Sequence, residues 1–276
     1  MHGYTEYQRP PTLDQALTLL SRAFPVTRPL AGGTHYVRGA PPCEVVVDLR
    51  DLNLGGVKRM GTTWFLGAMA TLDELEQAPG LPAALQRAAH RQSSHNVRQR
   101  ATLGGTIAMA DSGPLLACLL ALNSQVQLEP GARVVGLSDY LAGPSETRWN
   151  HALIVALSFE AGRSVDGAEV ARTPADDPLL YAAVGATMAD QILSQVSVAV
   201  GAAGQPLAAC PHIASVLEGK NVGQISAETL ENAVDAIAWR DDIRASADYR
   251  RAMMPILVRR ACAELLAASG EGHHEG

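Results

Sequence analysis

Apolar positions recur at helical spacing in several segments, and polar residues mark where these helices begin. From Leu13 onward, leucines recur at helical intervals, and Thr12 with Gln15 has the pattern of a capping box. Thr71 with Glu74 is a second capping box and predicts a second helix. The same kind of spacing predicts further helices over 81–95, 115–122, 226–238 and 246–266.

Short runs of strand type alternate with these helices. In the first half of the chain, strands are predicted over 26–30, 44–49, 57–60, 63–67 and 125–128. In the second half, residues 179–193 and 196–200 are predicted to be a strand pair of a second sheet. Between the two halves, the glycine- and charge-rich stretch 162–167 predicts an inter-domain loop. The pattern is therefore α+β, with a break near residue 162.

Two glycine pairs stand out in the first half. Residues 31–34 read Ala-Gly-Gly-Thr and residues 102–106 read Thr-Leu-Gly-Gly-Thr. Glycine reaches positive φ at little cost, and consecutive backbone N–H groups can form a concave site for phosphate. Each pair alone is most simply a turn, and neither fits the GxGxxG or GxxxxGK[ST] fingerprint. Two such pairs with neighbouring hydroxyls predict a long ligand that carries a diphosphate.

A third polar segment follows the second glycine pair closely. Residues 111–114 read Asp-Ser-Gly-Pro and precede an apolar helical run. Asp111 or Ser112 is predicted to cap that helix, and the same residues are candidates to face a phosphate.

Composition and charge exclude several classes of function. The 276 residues are 47% hydrophobic and 18% charged, with a formal net charge of −6. This charge argues against nucleic-acid binding, which needs clustered Lys and Arg. No run approaches the roughly 20 apolar residues of a membrane span, and the first residues lack the basic and apolar regions of a secretory signal. The expected location is the cytoplasm.

The metal-ligating residue types are scattered. No CxxC motif is present, and His90 and His95 are five residues apart, which does not place them on one helical face. We therefore expect no metal site and no iron–sulfur cluster in this chain. Free thiols in a reducing compartment are expected for the four cysteines, Cys43, Cys118, Cys210 and Cys262.

Three segments, in this order, resemble those of one protein family. Residues 30–36 and 97–106 resemble the two flavin loops of the FAD-binding medium subunit of molybdenum hydroxylases, the family of carbon monoxide dehydrogenase and xanthine dehydrogenase. Residues 242–251, Asp-Ile-Arg-Ala-Ser-Ala-Asp-Tyr-Arg-Arg, resemble the family's C-terminal signature D-x-R-x-S-x-x-Y-R-R. The last motif is the most specific of the three, and the resemblance covers nearly the whole chain.

The resemblance implies an α+β fold with two domains. Residues 1–162 would form a flavin-binding domain of the PCMH type, like that of vanillyl-alcohol oxidase, with subdomains of about 1–55 and 56–162. Residues 163–270 would form a smaller α+β domain with a three-stranded sheet and helices. Residues 271–276 are expected to be a disordered tail.

The resemblance also implies a role in electron transfer. FAD in this chain would take electrons from the 2Fe–2S clusters of a small partner subunit and pass them to an external acceptor. A large partner subunit would hold the molybdenum cofactor and oxidise the substrate, and the complex would be a dimer of heterotrimers. The FAD contacts implied for this chain, which include no catalytic acid or base, are Leu30, Ala31, Gly32, Gly33, Thr34, His35, Tyr36, Thr102, Leu103, Gly104, Gly105, Thr106, Ala110, Asp111, Ser112, Ile154 and Arg172.

The chain departs from the usual family pattern at four places. Thr106 replaces an Asn, and His35-Tyr36 replaces Asp-Leu. Leu115 stands where many members have an aspartate, and Arg172 is the cation nearest to the position of a missing lysine. Two alternatives therefore stay open: a flavin-free structural subunit of the same kind of complex, and a standalone flavin-dependent NAD(P)H oxidoreductase.

Overall fold

The structure is a computed structural model that describes residues 4–37, 42–110, 112–143, 152–173, 176–202, 205–234 and 237–271. The chain forms two compact units, and neither is continuous in sequence. Unit 1 comprises Met1–Ala78, Ser94–Asp111 and Ser124–Phe159, and unit 2 comprises Pro79–Ser93, Ser112–Asn123 and Glu160–Gly276. The mixture of helices and strands in both units confirms the predicted α+β class.

The strands in the described part of the chain belong to three sheets. A parallel sheet has the order β1-β3-β2, a five-stranded sheet the order β4-β5-β8-β6-β7, and an antiparallel sheet the order β12-β11-β10-β9. The strands are β1 (Glu6–Gln8), β2 (Thr27–Leu30), β3 (Val45–Asp48), β4 (Val57–Met60), β5 (Thr63–Gly67), β6 (Gln125–Glu129), β7 (Arg133–Gly136), β8 (Leu153–Glu160), β9 (Ser164–Val170), β10 (Leu180–Ala189), β11 (Ile192–Gly201) and β12 (Ala208–Ala209).

The helices surround these sheets. The α-helices are α1 (Leu13–Leu20), α2 (Thr34–Val37), α3 (Leu72–Gln77), α4 (Ala83–Gln92), α5 (His95–Arg98), α6 (Leu103–Ala108), α7 (Pro114–Ala121), α8 (Leu137–Ala142), α9 (Pro211–Leu217), α10 (Ala227–Val234) and α11 (Ala247–Glu271).

Both predicted helix caps are present in unit 1. The Thr12 hydroxyl accepts from the N–H of Gln15 at the start of α1. At α3, Thr71 accepts from the N–H of Glu74, whose carboxylate accepts from the N–H of Thr71, so this capping box is complete. The predicted strands 57–60 and 63–67 are confirmed as β4 and β5 with the expected bounds.

Unit 2 is built around the antiparallel sheet. α11 packs on β9 and β10, and α7 packs on β10 and β11. Seven of the eight α7 residues are apolar, and all seven are buried, which is why a helix with no polar face forms here. α9, α10 and α11 share one buried apolar cluster with β10 and β11.

Several sequence predictions need correction. The stretch 162–167 is a loop only at residues 162 and 163, because β9 begins at Ser164. The predicted helix 81–95 ends at Gln92, and α5 follows it as a separate turn. The turn between β10 and β11 lies at 190–191, where both residues have positive φ, and not at 194–195. The second sheet has four strands and not three, because the two-residue β12 pairs with β11.

The end of the chain also differs slightly from the prediction. α11 runs five residues past the predicted end at 266 and includes Glu271, the first residue of the predicted tail. Residues 272–276 lie outside the described part of the chain. In the described residues, no helix has the length and apolar character needed to cross a membrane.

Candidate functional site

A pocket in unit 1 brings the two glycine pairs together. It encloses about 90 Å³, less than the roughly 300 Å³ of an ordinary ligand pocket, so a long ligand would extend beyond it. The residues that line it are Pro29, Ala31, Gly32, Gly33, Thr34, His35, Tyr36, Leu49, Ala68, Met69, Thr102, Gly104, Gly105, Thr106, Ala108, Met109, Tyr140, Ala152, Leu153 and Ile154.

The first glycine pair forms the turn between β2 and α2. Gly33 has φ +76°, a left-handed conformation that residues with a Cβ adopt only under strain. Among the described residues, the backbone N–H groups of 31–34 have no hydrogen-bond acceptor. Four neighbouring N–H groups without acceptors are the donor set expected of a phosphate site.

Gly32 has a different role from Gly33. A Cβ at Gly32 would lie 1.7 Å from the carbonyl oxygen of Arg100, so the two backbones touch at this point. Arg100 lies two residues before Thr102, the first residue of the second glycine segment. The contact therefore holds the two glycine segments side by side at the pocket.

The second glycine pair is not a turn, because it lies in the first turn of α6. The N–H of Leu103 donates to Ala70 O (2.9 Å), and that of Gly104 donates to Ala68 O (2.8 Å). The N–H of Gly105 donates to the Thr102 hydroxyl (3.2 Å). These N–H groups already have acceptors, so the expectation that both glycine pairs offer free donors holds only for the first.

The hydroxyl groups at the pocket divide in the same way. The hydroxyl of Thr106 donates a hydrogen bond to the carbonyl of Thr102 (3.0 Å). Thr102 accepts from Gly105, and its own proton has no acceptor in the described part of the chain. The Thr34 hydroxyl has no partner among those residues either. Thr34 and Thr102 are therefore the hydroxyl donors available at the pocket.

Apart from His35, Tyr36 and Tyr140, the other side chains of the wall are apolar. Ile154 on β8, one of the predicted contacts, lines the pocket, together with residues that the sequence did not predict, chiefly Leu49, Met69, Met109 and Leu153. Leu49 and Leu153 belong to a buried cluster next to β3 and β8. No local pattern identifies these residues, because segments that are far apart in the sequence bring them to one place.

Tyr36 joins the turn to the strand before it. Its hydroxyl donates to the carbonyl of Pro29 (3.0 Å). Burial, and secondarily the neighbouring thiol of Cys43, raises the pKa of Tyr36 well above its usual value. The hydroxyl is thus a proton donor throughout the neutral range.

Some predicted contacts do not line this pocket. Leu30, Leu103 and Ala110 lie in unit 1 but are not among the described lining residues. Ser112 belongs to unit 2, and the N-cap of α7 is Gly113, which makes no side-chain cap bond. Arg172, also in unit 2, donates to the carbonyl of Arg244 (2.9 Å). Asp111 lies outside the described residues.

Comparison with known families covers nearly the whole chain. Residues 3–159 match the family described as the FAD binding domain in molybdopterin dehydrogenase. Residues 168–265 match the CO dehydrogenase flavoprotein C-terminal domain. The chain belongs to the FAD-binding medium subunits of the molybdenum hydroxylases.

Individual relatives agree with this assignment. The nicotine 6-hydroxylase medium subunit of Paenarthrobacter nicotinovorans is 30% identical, and the alignment covers 94% of this chain and 96% of the relative. The carbon monoxide dehydrogenase medium chain of Afipia carboxidovorans is also 30% identical, with the same coverage. A chain of the reconstituted CO dehydrogenase from Oligotropha carboxidovorans has a TM-score of 0.82 at 25% identity, covering 96% of this chain and 99% of that one.

This medium subunit therefore carries an FAD-binding domain and is an oxidoreductase component. In the family, molybdenum and iron–sulfur centres belong to other subunits. The described residues contain no cluster of three or more His, Cys, Asp or Glu side chains suited to a metal ion. Three of the four free cysteines, Cys118, Cys210 and Cys262, are buried, and burial raises the pKa of each to about 12.

Proposed function

We propose that this medium subunit binds FAD in the pocket of unit 1 and passes electrons from an iron–sulfur partner subunit to an external acceptor. The observation that carries the proposal is the turn at 31–34, whose four N–H groups have no acceptor among the described residues. An unpaired buried or half-buried N–H is costly unless a ligand or water satisfies it. A diphosphate satisfies several of them at once.

The two glycine segments would then contribute different contacts. The N–H groups of 31–34 and the hydroxyl of Thr34 bind the diphosphate, and Thr102 adds a second hydroxyl from the facing segment. The second segment otherwise acts as a close-packed wall, since a Cβ at Gly104 would lie 2.8 Å from the Cβ of Ala68. The apolar side chains of Met69, Met109 and Ile154 exclude water from a flat ring in the pocket.

Bound FAD supplies the redox chemistry, and the protein positions it. Of the remaining predicted contacts, His35, Tyr36 and Thr106 line the pocket, and Thr106 is buried.

The partners belong to the same proposal. Relatives of this chain are named as medium subunits and medium chains, which supports an assembly with a small iron–sulfur subunit and a large molybdenum-cofactor subunit. The dimer of heterotrimers and the cytoplasmic location are part of this proposal.

The first experiment is the absorbance spectrum of the full chain, purified alone and together with the subunits that co-purify with it. We expect flavin bands, and FAD released on denaturation in about one equivalent per chain. FMN, or no flavin in either preparation even after addition of FAD, would contradict the proposal.

One observation favours a second candidate, a flavin-free structural subunit. The N–H groups of 103–105 are engaged within the protein, so half of the expected donor set is not available. A folded, colourless chain that assembles with its partners and takes up no FAD would establish this alternative.

A further inference from the structure

The turn at 31–34 has few bonds of its own to keep its shape. A loop whose N–H groups have no acceptors among the described residues lacks the hydrogen bonds that normally fix a turn. Its geometry must therefore be set from outside. One anchor is the contact of Gly32 with the carbonyl of Arg100, which holds the middle of the loop.

Tyr36 supplies the second anchor. It lies on α2, two residues after the loop, and its hydroxyl donates to Pro29 on β2, two residues before the loop. β2 is an edge strand in the order β1-β3-β2. The carbonyl of Leu30 accepts from the N–H of Leu49 on the neighbouring chain segment after β3. The preceding carbonyl, that of Pro29, therefore points away from the ladder and is open to a side-chain donor.

The hydrogen bond closes the loop into a ring. It joins the end of β2 to α2 at a fixed distance, with Gly33 and its left-handed φ inside the ring. Both ends of the bond, Pro29 and Tyr36, line the pocket together with the residues between 31 and 35. The bond thus sets the position of the N–H groups relative to a ligand without taking any of them.

We propose that Tyr36 is a positioning residue for the diphosphate group of the bound dinucleotide. The inference rests on the proposed function, because it assigns the diphosphate to the turn at 31–34. The resemblance gives leucine as the usual residue at this position, and leucine has no hydroxyl to make this bond. Tyr36 holds the turn through Pro29, so it affects the affinity for diphosphate ligands and not the affinity for the flavin ring.

The test compares three ligands on the full chain, with the partner subunits present where they co-purify. FAD carries the ring and the diphosphate, ADP carries the diphosphate alone, and riboflavin carries the ring alone. Tyr36→Phe removes one oxygen atom and keeps the ring of the side chain. Tyr7→Phe is the matched control, because Tyr7 lies on β1, the edge strand opposite β2 in the same sheet, and donates to the carboxylate of Asp48.

In Tyr36→Phe, we expect the dissociation constants of FAD and ADP to rise roughly three- to tenfold, the effect of losing one ordinary hydrogen bond. The constant for riboflavin should stay within about twofold of wild type, as should all three constants in Tyr7→Phe. Equal weakening of all three ligands, no change, or a Tyr36→Phe chain that fails to fold would overturn the proposal. Wild-type protein that binds riboflavin or ADP but not FAD would instead refute the proposed function, and the positioning role with it.

Discussion

The adjacent glycines 32 and 33 are required for separate physical reasons. Gly33 needs a left-handed φ of +76°, while a Cβ there would meet only Leu30 Cδ1 at an ordinary 3.5 Å. Gly32 has no unusual φ in this range, but its missing Cβ makes room for the carbonyl of Arg100. One position is limited by conformation and the other by packing.

We expect Gly32→Ala and Gly33→Ala to differ. In Gly33→Ala, the left-handed strain costs roughly 1–2 kcal/mol, and relaxation of the turn weakens FAD binding. In Gly32→Ala, the backbones have to separate, so the loss of stability is larger and both glycine segments are displaced. Urea unfolding and FAD titration measure the two effects.

Two further glycines serve as controls for this pair. Gly55 has no positive φ and open space around it, so Gly55→Ala should be neutral. Gly61 has φ +59° and open space, so Gly61→Ala reports the strain alone. If Gly32→Ala is no more destabilising than Gly61→Ala, the close approach to Arg100 does not matter.

Asp242 is a second residue whose role can be tested, because its hydrogen bonds lower its pKa. Its carboxylate accepts from the guanidinium of Arg250 (2.7 Å) and from the N–H groups of Arg244 and Ala245. These bonds, that of Arg250 first, lower the pKa of Asp242 from 3.8 to about 2. Arg250 itself is fully buried, so its charge has lost its hydration and depends on this partner.

We expect Asp242→Asn to be less stable than wild type at neutral pH. A carboxyl with a lowered folded-state pKa contributes stability that is complete above its unfolded value and is lost as pH falls through the folded value. The difference between the two proteins should therefore shrink as pH falls from about 4 towards 2. Unfolding midpoints at pH 7, 4 and 2.5 measure it, and a difference that does not depend on pH would contradict the assignment.

At the scale of elements, Arg163 links three parts of unit 2. Its guanidinium donates to the carbonyl of Ala121 at the end of α7 (3.3 Å) and to that of Gly185 on β10 (3.1 Å), and it also bonds Ser197 on β11. Burial lowers the pKa of Arg163. A cation is favourable at the C-terminal end of a helix, and here it also satisfies buried carbonyl groups.

We expect Arg163→Met to destabilise the protein by about 1–3 kcal/mol, because it leaves a buried carbonyl without a donor. Arg163→Lys should recover only part of this, since an ammonium group cannot reproduce the fork of the guanidinium. The control is Arg133→Met on β7, where the side chain is exposed. Equal unfolding midpoints for Arg163→Met and Arg133→Met would show that the contacts of Arg163 contribute nothing.

Local signals were sufficient for some elements and not for others. The capping box at Thr71 and the strands β4 and β5 depend on neighbouring residues, and the sequence predicts them correctly. The sequence does not predict the start of β9, because a charged residue such as Asp166 is more typical of a loop than of a buried strand position. Asp166 is paired with Arg87, which is 79 residues away in the chain.

The candidate site shows the same limit. The first glycine segment behaves as predicted because its conformation depends on Gly33 itself. The second does not, because its N–H groups donate to Ala68 and Ala70, more than 30 residues earlier in the sequence. Family resemblance predicts that both segments are flavin loops. Only the structure shows that the N–H groups of the first segment lack acceptors among the described residues, whereas those of the second already donate within the protein.

At the scale of the whole molecule, the two units interleave along the chain. α4 and α7 lie within the first 162 residues, yet both belong to unit 2. α7 packs on β10 and β11, and α4 packs on α7 and β9. The predicted boundary at 162 stays a prediction, and it would separate these two helices from their sheet.

A fragment of residues 1–162 should therefore not fold as a stable domain. It would expose the apolar side chains of α7, all buried in the full chain, because the strands that cover them lie beyond the cut. Exposed apolar surface of this kind causes aggregation. We expect the fragment to be insoluble or to bind a hydrophobic dye, and a co-expressed fragment of residues 163–276 to restore solubility by supplying the sheet. A monomeric 1–162 fragment that unfolds cooperatively and binds FAD would show that the fragment, α4 and α7 included, folds without the sheet of unit 2, and the flavin site could then be studied without that sheet.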